Sequence, residues 1–168
     1  MIFIEGDDDQ RFLERVVAPL LRCRFDAIRF YRYAPCPHKE VSKLIRTLKH
    51  TGWEYLFLAD KDSSPCITQK RGKIAERMPN VDQKKVIVVE SEIESWYAAG
   101  VSVPVALEVG FTHPQKSDAF TKEHLLRCVN KRLPTATDIR LKLLDNYSLD
   151  LGRNRSRSLE YFCKKLNI

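Results

Sequence analysis

Three groups of carboxylates follow three apolar runs, and their spacing fits a site that gathers negative charge. Ile2-Phe3-Ile4 runs into Glu5-Gly6, Tyr55-Leu56-Phe57-Leu58 into Asp60-Lys61-Asp62, and Val86-Ile87-Val88-Val89 into Glu90, Glu92 and Glu94. If each run is a strand of one parallel sheet, the acids lie beyond the carboxyl ends of the strands, where ligands bind in such sheets. Two unit charges ~4 Å apart repel by about 4 kcal/mol at an effective dielectric of ~20. A cation offsets that cost, and oxygen donors without accompanying His or Cys select Mg²⁺ or Mn²⁺.

The elements that must position these acids alternate along the first hundred residues. Residues 2–5 read as a short strand, and Asp7, Asp8 and Asp9 as an acidic first helical turn. Phe12, Leu13, Val16, Val17, Leu20 and Leu21 then recur at helical spacing. Residues 26–33 alternate and are aromatic-rich, which predicts a strand whose Phe30, Tyr31 and Tyr33 face a core. Val41, Leu44, Ile45 and Leu48 predict a second helix, residues 54–59 a buried strand, and Ile67 to Arg77 a basic helix. Residues 85–89 predict a fourth strand, and residues 92–99 a helix ended by Gly100 with Trp96 in the core. Repeated β-helix-β units predict an α/β fold with a parallel sheet and right-handed crossovers. Residues 100–118, with Pro104, Gly110 and Pro114, read as irregular. Residues 119–132, 135–146 and 153–166 then read as three helices, the last preceded by Arg153 or Asn154. Residues 1–100 are thus expected to form the α/β core. Residues 101–168 are expected to form a helical C-terminal cap packed on it as one globular unit.

Composition narrows the class. The chain has 168 residues, 43% apolar and 30% charged, with no apolar run approaching the ~18 residues of a membrane span. It opens directly on a predicted strand, which argues against a signal peptide and for the cytoplasm. Cys23, Cys36, Cys66, Cys128 and Cys163 are odd in number and scattered, which argues against a disulfide framework or structural zinc. Cys36-Pro37-His38 reads as a loop. The net charge is +7, from 29 Lys and Arg against 22 Asp and Glu. Arginines are dense between Arg11 and Arg32, and bases again between Arg127 and Arg157. Such a chain suits a polyanionic partner, DNA or RNA, whose phosphates the cations would hold. Read singly, each of these bases is a solvated helix residue.

The segment Phe3-Ile4-Glu5-Gly6-x-x-Asp9-x-x-Phe12-Leu13, followed by Asp60-x-Asp62, resembles the TOPRIM domain of topoisomerases, bacterial primases, recombination-repair proteins and overcoming-lysogenization-defect type nucleases. The resemblance implies a Rossmann-like parallel sheet and Mg²⁺-dependent phosphoryl transfer at nucleic-acid backbones, with Glu5, Asp60 and Asp62 at the centre. Glu92-Ile93-Glu94-Ser95-Trp96-Tyr97 is similar to the acidic helix of small stand-alone TOPRIM-like proteins linked with bacterial defence genes. Lys122 and Asn154-x-Ser156 carry a looser likeness. The implied metal set is Glu5, Asp9, Asp60, Asp62, Glu92 and Glu94. Glu5 serves either as a ligand or as the general base, and Lys122 as a phosphate or transition-state contact. Glu92 and Glu94 read equally well as acids of a helix N-terminus.

The chain departs from the wider family in having no nucleophilic-tyrosine domain, no primase zinc part and no Gly-x-x-x-x-Gly-Lys-Ser/Thr loop. Any ATPase would therefore be a separate partner. The expected activity is metal-dependent hydrolysis of phosphodiesters in nucleic acid, in defence or DNA repair. A non-catalytic nucleic-acid or nucleotide-binding subunit beside an ATPase, and a phosphatase or phosphotransferase on a small substrate, stay open. An apolar face on the C-terminal helices would suit a homodimer.

Overall fold

The computed structural model describes residues 1–112 and 117–168, and Pro114 lies outside the described residues. The chain forms two compact units, Met1–Val89 and Glu90–Ile168. The fold is α/β, with a four-stranded parallel sheet and flanking helices. Among the described residues no helix is long and apolar enough to cross a membrane.

The first unit holds the whole sheet. Its elements are β1 (Ile2–Ile4), α1 (Asp7–Phe12), a π-helical stretch (Leu13–Val17), α2 (Ala18–Leu21), β2 (Phe30–Arg32), α3 (His38–His50), β3 (Leu56–Asp60), α4 (Ile67–Arg77), a 3-10 turn (Gln83–Lys85) and β4 (Val86–Val89). The strand order is β2-β1-β3-β4, all parallel, with Phe3 opposite both Tyr31 and Phe57, and Asp60 opposite Val89. Every residue of β1 and β4 is buried, as a strand covered on both faces requires. Phe3, Phe57, Ala59, Val86 and Val88 share one core with Val41, Ile45 and Leu48 of α3 and Ile74 of α4. At about 25 cal/mol per Å² of apolar surface removed from water, this packing is the main stabilising term of the unit.

Chain direction across the sheet decides where a site belongs. From β1 the chain moves outward to β2, whereas from β3 it moves the other way to β4. The β1–β3 seam is therefore the topological switch point, and its carboxyl end opens the crevice where ligands bind in such sheets.

The second unit comprises α5 (Glu94–Ala99), α6 (Val103–Val109), a 3-10 turn (Ser117–Ala119), α7 (Lys122–Arg127), α8 (Ala136–Asp145), α9 (Leu149–Arg155) and α10 (Arg157–Leu166). Each residue of α5 is buried, and α8, α9 and the 3-10 turn pack on it. Trp96 is fully buried, 5.1 Å from Phe162 between ring centroids, and its indole N–H donates to Ser158 Oγ at 2.8 Å.

Residues 100–118 are not irregular throughout. Pro104 sits in the first turn of α6, where its missing N–H costs nothing, and Gly110 closes that helix at φ +108°. The expected helix at 153–166 is two helices. Ser156 leaves the helical conformation at φ −122°, and its hydroxyl accepts the Leu159 N–H, so Ser156 rather than Arg153 or Asn154 caps α10.

Candidate functional site

Glu5 follows β1 directly. Its Oε1 accepts the Tyr33 hydroxyl at 2.7 Å and the Asp60 backbone N–H at 3.2 Å. Among the described residues Oε2 has no hydrogen-bond partner. One oxygen thus fixes the carboxylate while the other stays available. Burial first, and the Glu5 carboxylate second, push the Tyr33 phenol well above its ordinary value, so Tyr33 stays a donor at neutral pH.

Asp60 ends β3, and Asp62 lies two residues on, in the turn before α4. Lys61 N–H still bonds to Val89 O at 3.0 Å, which anchors the turn to the sheet. Asp62 is held at φ +48°, a left-handed conformation that Asp adopts at a modest cost. Backbone strain of this kind persists where the surroundings fix it, and it concentrates at functional sites.

The cation at this seam is a lysine. Lys70 Nζ lies 2.5 Å from Asp62 Oδ2 and 4.0 Å from Glu5 Oε1. The Lys70 side chain is 13% exposed, against 57% for Asp62 and 29% for Glu5. Lys70 belongs to the N-terminal part of α4, the positive end of the helix dipole, where a cation is disfavoured without an acidic partner. Cys66 caps that end, its Sγ accepting the Gln69 N–H at 3.4 Å.

The remaining candidates have other partners. Asp9 is buried, and its Oδ2 accepts the Gly6 N–H at 2.7 Å, closing the first turn of α1. Glu92, Glu94 and Lys122 belong to the second unit. There Glu92 Oε2 accepts the Lys122 backbone N–H at 2.7 Å. Glu94 pairs with Arg140 at 2.5 Å, the side chains 6% and 4% exposed. Breaking a pair so buried leaves an uncompensated charge, which makes Glu94 a structural acid of its unit. The Lys122 side chain is exposed.

Among the described residues no group of three or more His, Cys, Asp or Glu side chains is gathered at metal-binding spacing. The donor chemistry at the seam nevertheless fits a hard cation. Mg²⁺ commonly takes only one or two carboxylates, filling its shell with waters and substrate phosphates. Glu5 and Asp62 already share one positive charge, with the Lys70 ammonium as the stand-in. Of the acids expected to bind metal, Glu5 and Asp62 are the two that meet at one cation and that could hold an ion in its place, while Asp60 contributes its backbone N–H to Glu5.

No family model, curated protein or solved structure matches this chain.

Proposed function

We propose that the chain is a Mg²⁺- or Mn²⁺-dependent nuclease that hydrolyses phosphodiester bonds of DNA or RNA, with its centre at the carboxyl end of the β1–β3 seam. The carrying observation is the convergence of Glu5 and Asp62 on one positive charge at the topological switch point. The Glu5-Gly6 and Asp60-x-Asp62 motifs, which resemble those of TOPRIM nucleases, support it. So does the net charge of +7, suited to a polyanionic substrate.

When bound, such an ion supplies a more acidic water and neutralises phosphoryl charge. The chain's own residues do the rest. Tyr33 and the Asp60 N–H orient Glu5 through Oε1, which leaves Oε2 to ligate or to accept a proton from the attacking water. Lys70 is mounted on α4 beside both carboxylates and offers its ammonium to a phosphate oxygen once the pair is otherwise neutralised. All five cysteines are free thiols, which supports placing the protein in the cytoplasm.

Lys70 already stands between Asp62 and Glu5, which favours a second reading in which the ammonium takes the metal's place and the chain is a non-catalytic nucleic-acid-binding subunit beside a separate ATPase. Cleavage of plasmid and single-stranded DNA and RNA in Mg²⁺, Mn²⁺ or EDTA decides between them. The nuclease reading expects metal-dependent cutting that Asp60→Ala abolishes. Binding without cutting, or equal cutting by the variant, would overturn it.

A further inference from the structure

The outer side of α3 carries Lys39, Lys43 and Arg46, while Val41, Ile45 and Leu48 face the core. Arg77, in the last turn of α4, stands across from them with Pro79 and Asn80. With Ser42, these residues line an open pocket of about 260 Å³. Its floor is fixed. Asn80 Nδ2 donates to Ser42 O at 3.0 Å and to Ser42 Oγ at 2.9 Å, and the Asn80 backbone N–H donates to the same hydroxyl at 3.3 Å. Its rim is cationic. Lys39, Lys43, Arg46 and Arg77 are exposed, and no acidic side chain lines the pocket.

We propose that this α3–α4 pocket binds a run of phosphate groups. Four like charges around one concavity repel one another, and a multiply charged anion offsets that repulsion. Lys39 and Arg46 are two helical turns apart, about 10 Å at ~1.5 Å rise per residue. That length matches roughly three phosphates of one strand at ~3.4 Å per charge. Arg77 adds a planar fork suited to two oxygens of one phosphate. The occupant is an oligophosphate, supplied either by a nucleic-acid strand or by the phosphate tail of a nucleotide. The strand source rests on the nuclease reading above, while phosphate binding itself does not.

The test measures binding in EDTA, so that cutting plays no part. A fluorescein-labelled single-stranded oligonucleotide is followed by anisotropy across a salt series, and tripolyphosphate by calorimetry. Wild type is compared with the double variant Arg46→Ala, Arg77→Ala, whose exposed positions leave the fold intact by circular dichroism. Lys164→Ala, in the second unit, is the control. The expected result is oligonucleotide binding weakened about tenfold or more. The log–log salt slope should fall by about 0.7 for each phosphate contact removed, with Lys164→Ala unchanged. Loss of tripolyphosphate binding alone keeps the pocket and assigns it to a nucleotide tail. Unchanged affinity for both ligands, no binding by wild type, or an equal loss in Lys164→Ala overturns the proposal. Unchanged binding in the double variant beside metal-dependent cutting by wild type would overturn this pocket alone, whereas the expected loss of binding beside no cutting by wild type would overturn the nuclease reading alone.

Discussion

The Tyr33 hydroxyl donates to Glu5 Oε1 at 2.7 Å, joining the carboxyl ends of two neighbouring parallel strands. The Tyr33 ring packs 4.2 Å from Phe57 between centroids and is 9% exposed, so the donor is fixed from below by the core. Tyr33→Phe keeps the ring and removes the bond. It is expected to cost about 1.5–3 kcal/mol in urea denaturation, the usual worth of a hydrogen bond to a charged group, and to lower cleavage by freeing Glu5. A change under 0.5 kcal/mol would show that the bond does not order the site.

Asp62 separates stability from function. At φ +48° glycine is the relaxed residue, and the Lys70–Asp62 contact is partly exposed and worth at most ~1 kcal/mol. Asp62→Gly is expected to change stability by no more than about 1 kcal/mol while abolishing cleavage. Thermal unfolding and the plasmid assay on one preparation check both halves.

Tyr147 occupies the space that side chains at two glycines would fill. A Cβ at Gly100 would lie 2.3 Å from its ring, and one at Gly152 would lie 2.5 Å from its hydroxyl, which itself bonds Trp96 O at 2.9 Å. Gly100→Ala should therefore destabilise by roughly 1–3 kcal/mol or more through overpacking. Differential scanning calorimetry should show it as a clear drop in Tm, and Gly100→Ala combined with Tyr147→Phe should not recover it.

Burial pushes the Cys163 thiol up to about 11 and raises the Tyr147 phenol in the same direction. Both groups are neutral when protonated, so the folded state holds its protons more tightly than the unfolded chain. The thiol's contribution is fully present below about pH 9 and is lost as pH rises through 11, whereas the phenol's is lost only at higher pH. Tm should fall across that window, and less steeply in Cys163→Ala. At pH 8 a thiol reagent should modify exposed Cys23 and Cys66 rapidly and Cys163 only on unfolding.

The sheet was legible in the sequence because its strands are nearly unbroken apolar runs, and the acids that end them mark their tips. Glu5, Asp60 and Asp62 could be placed at strand ends on that ground alone. α6 was not legible, since Pro104 and Gly110 punctuate a loop and a short helix alike until their positions within the turn are known. The α9–α10 break turns on Ser156, whose helical neighbours hide it. Tyr33 was read as a core residue, which its ring is, while its hydroxyl belongs to the site. Lys70 left one trace, a cation in the N-terminal part of a helix without acids in its first turn. That is unfavourable unless a carboxylate lies opposite, and the partners are 8 and 65 residues away in sequence.

The most direct measurement is Mn²⁺ binding, followed by loss of the free-ion EPR signal, for wild type, Glu5→Gln and Lys70→Ala. Wild type is expected to bind the ion, with an affinity weakened roughly tenfold or more, about 1.4 kcal/mol, in Glu5→Gln. Lys70→Ala is expected to bind it more tightly, because the competing ammonium is gone. No binding by wild type, or equal affinity in wild type and Glu5→Gln, would contradict a metal centre at the β1–β3 seam.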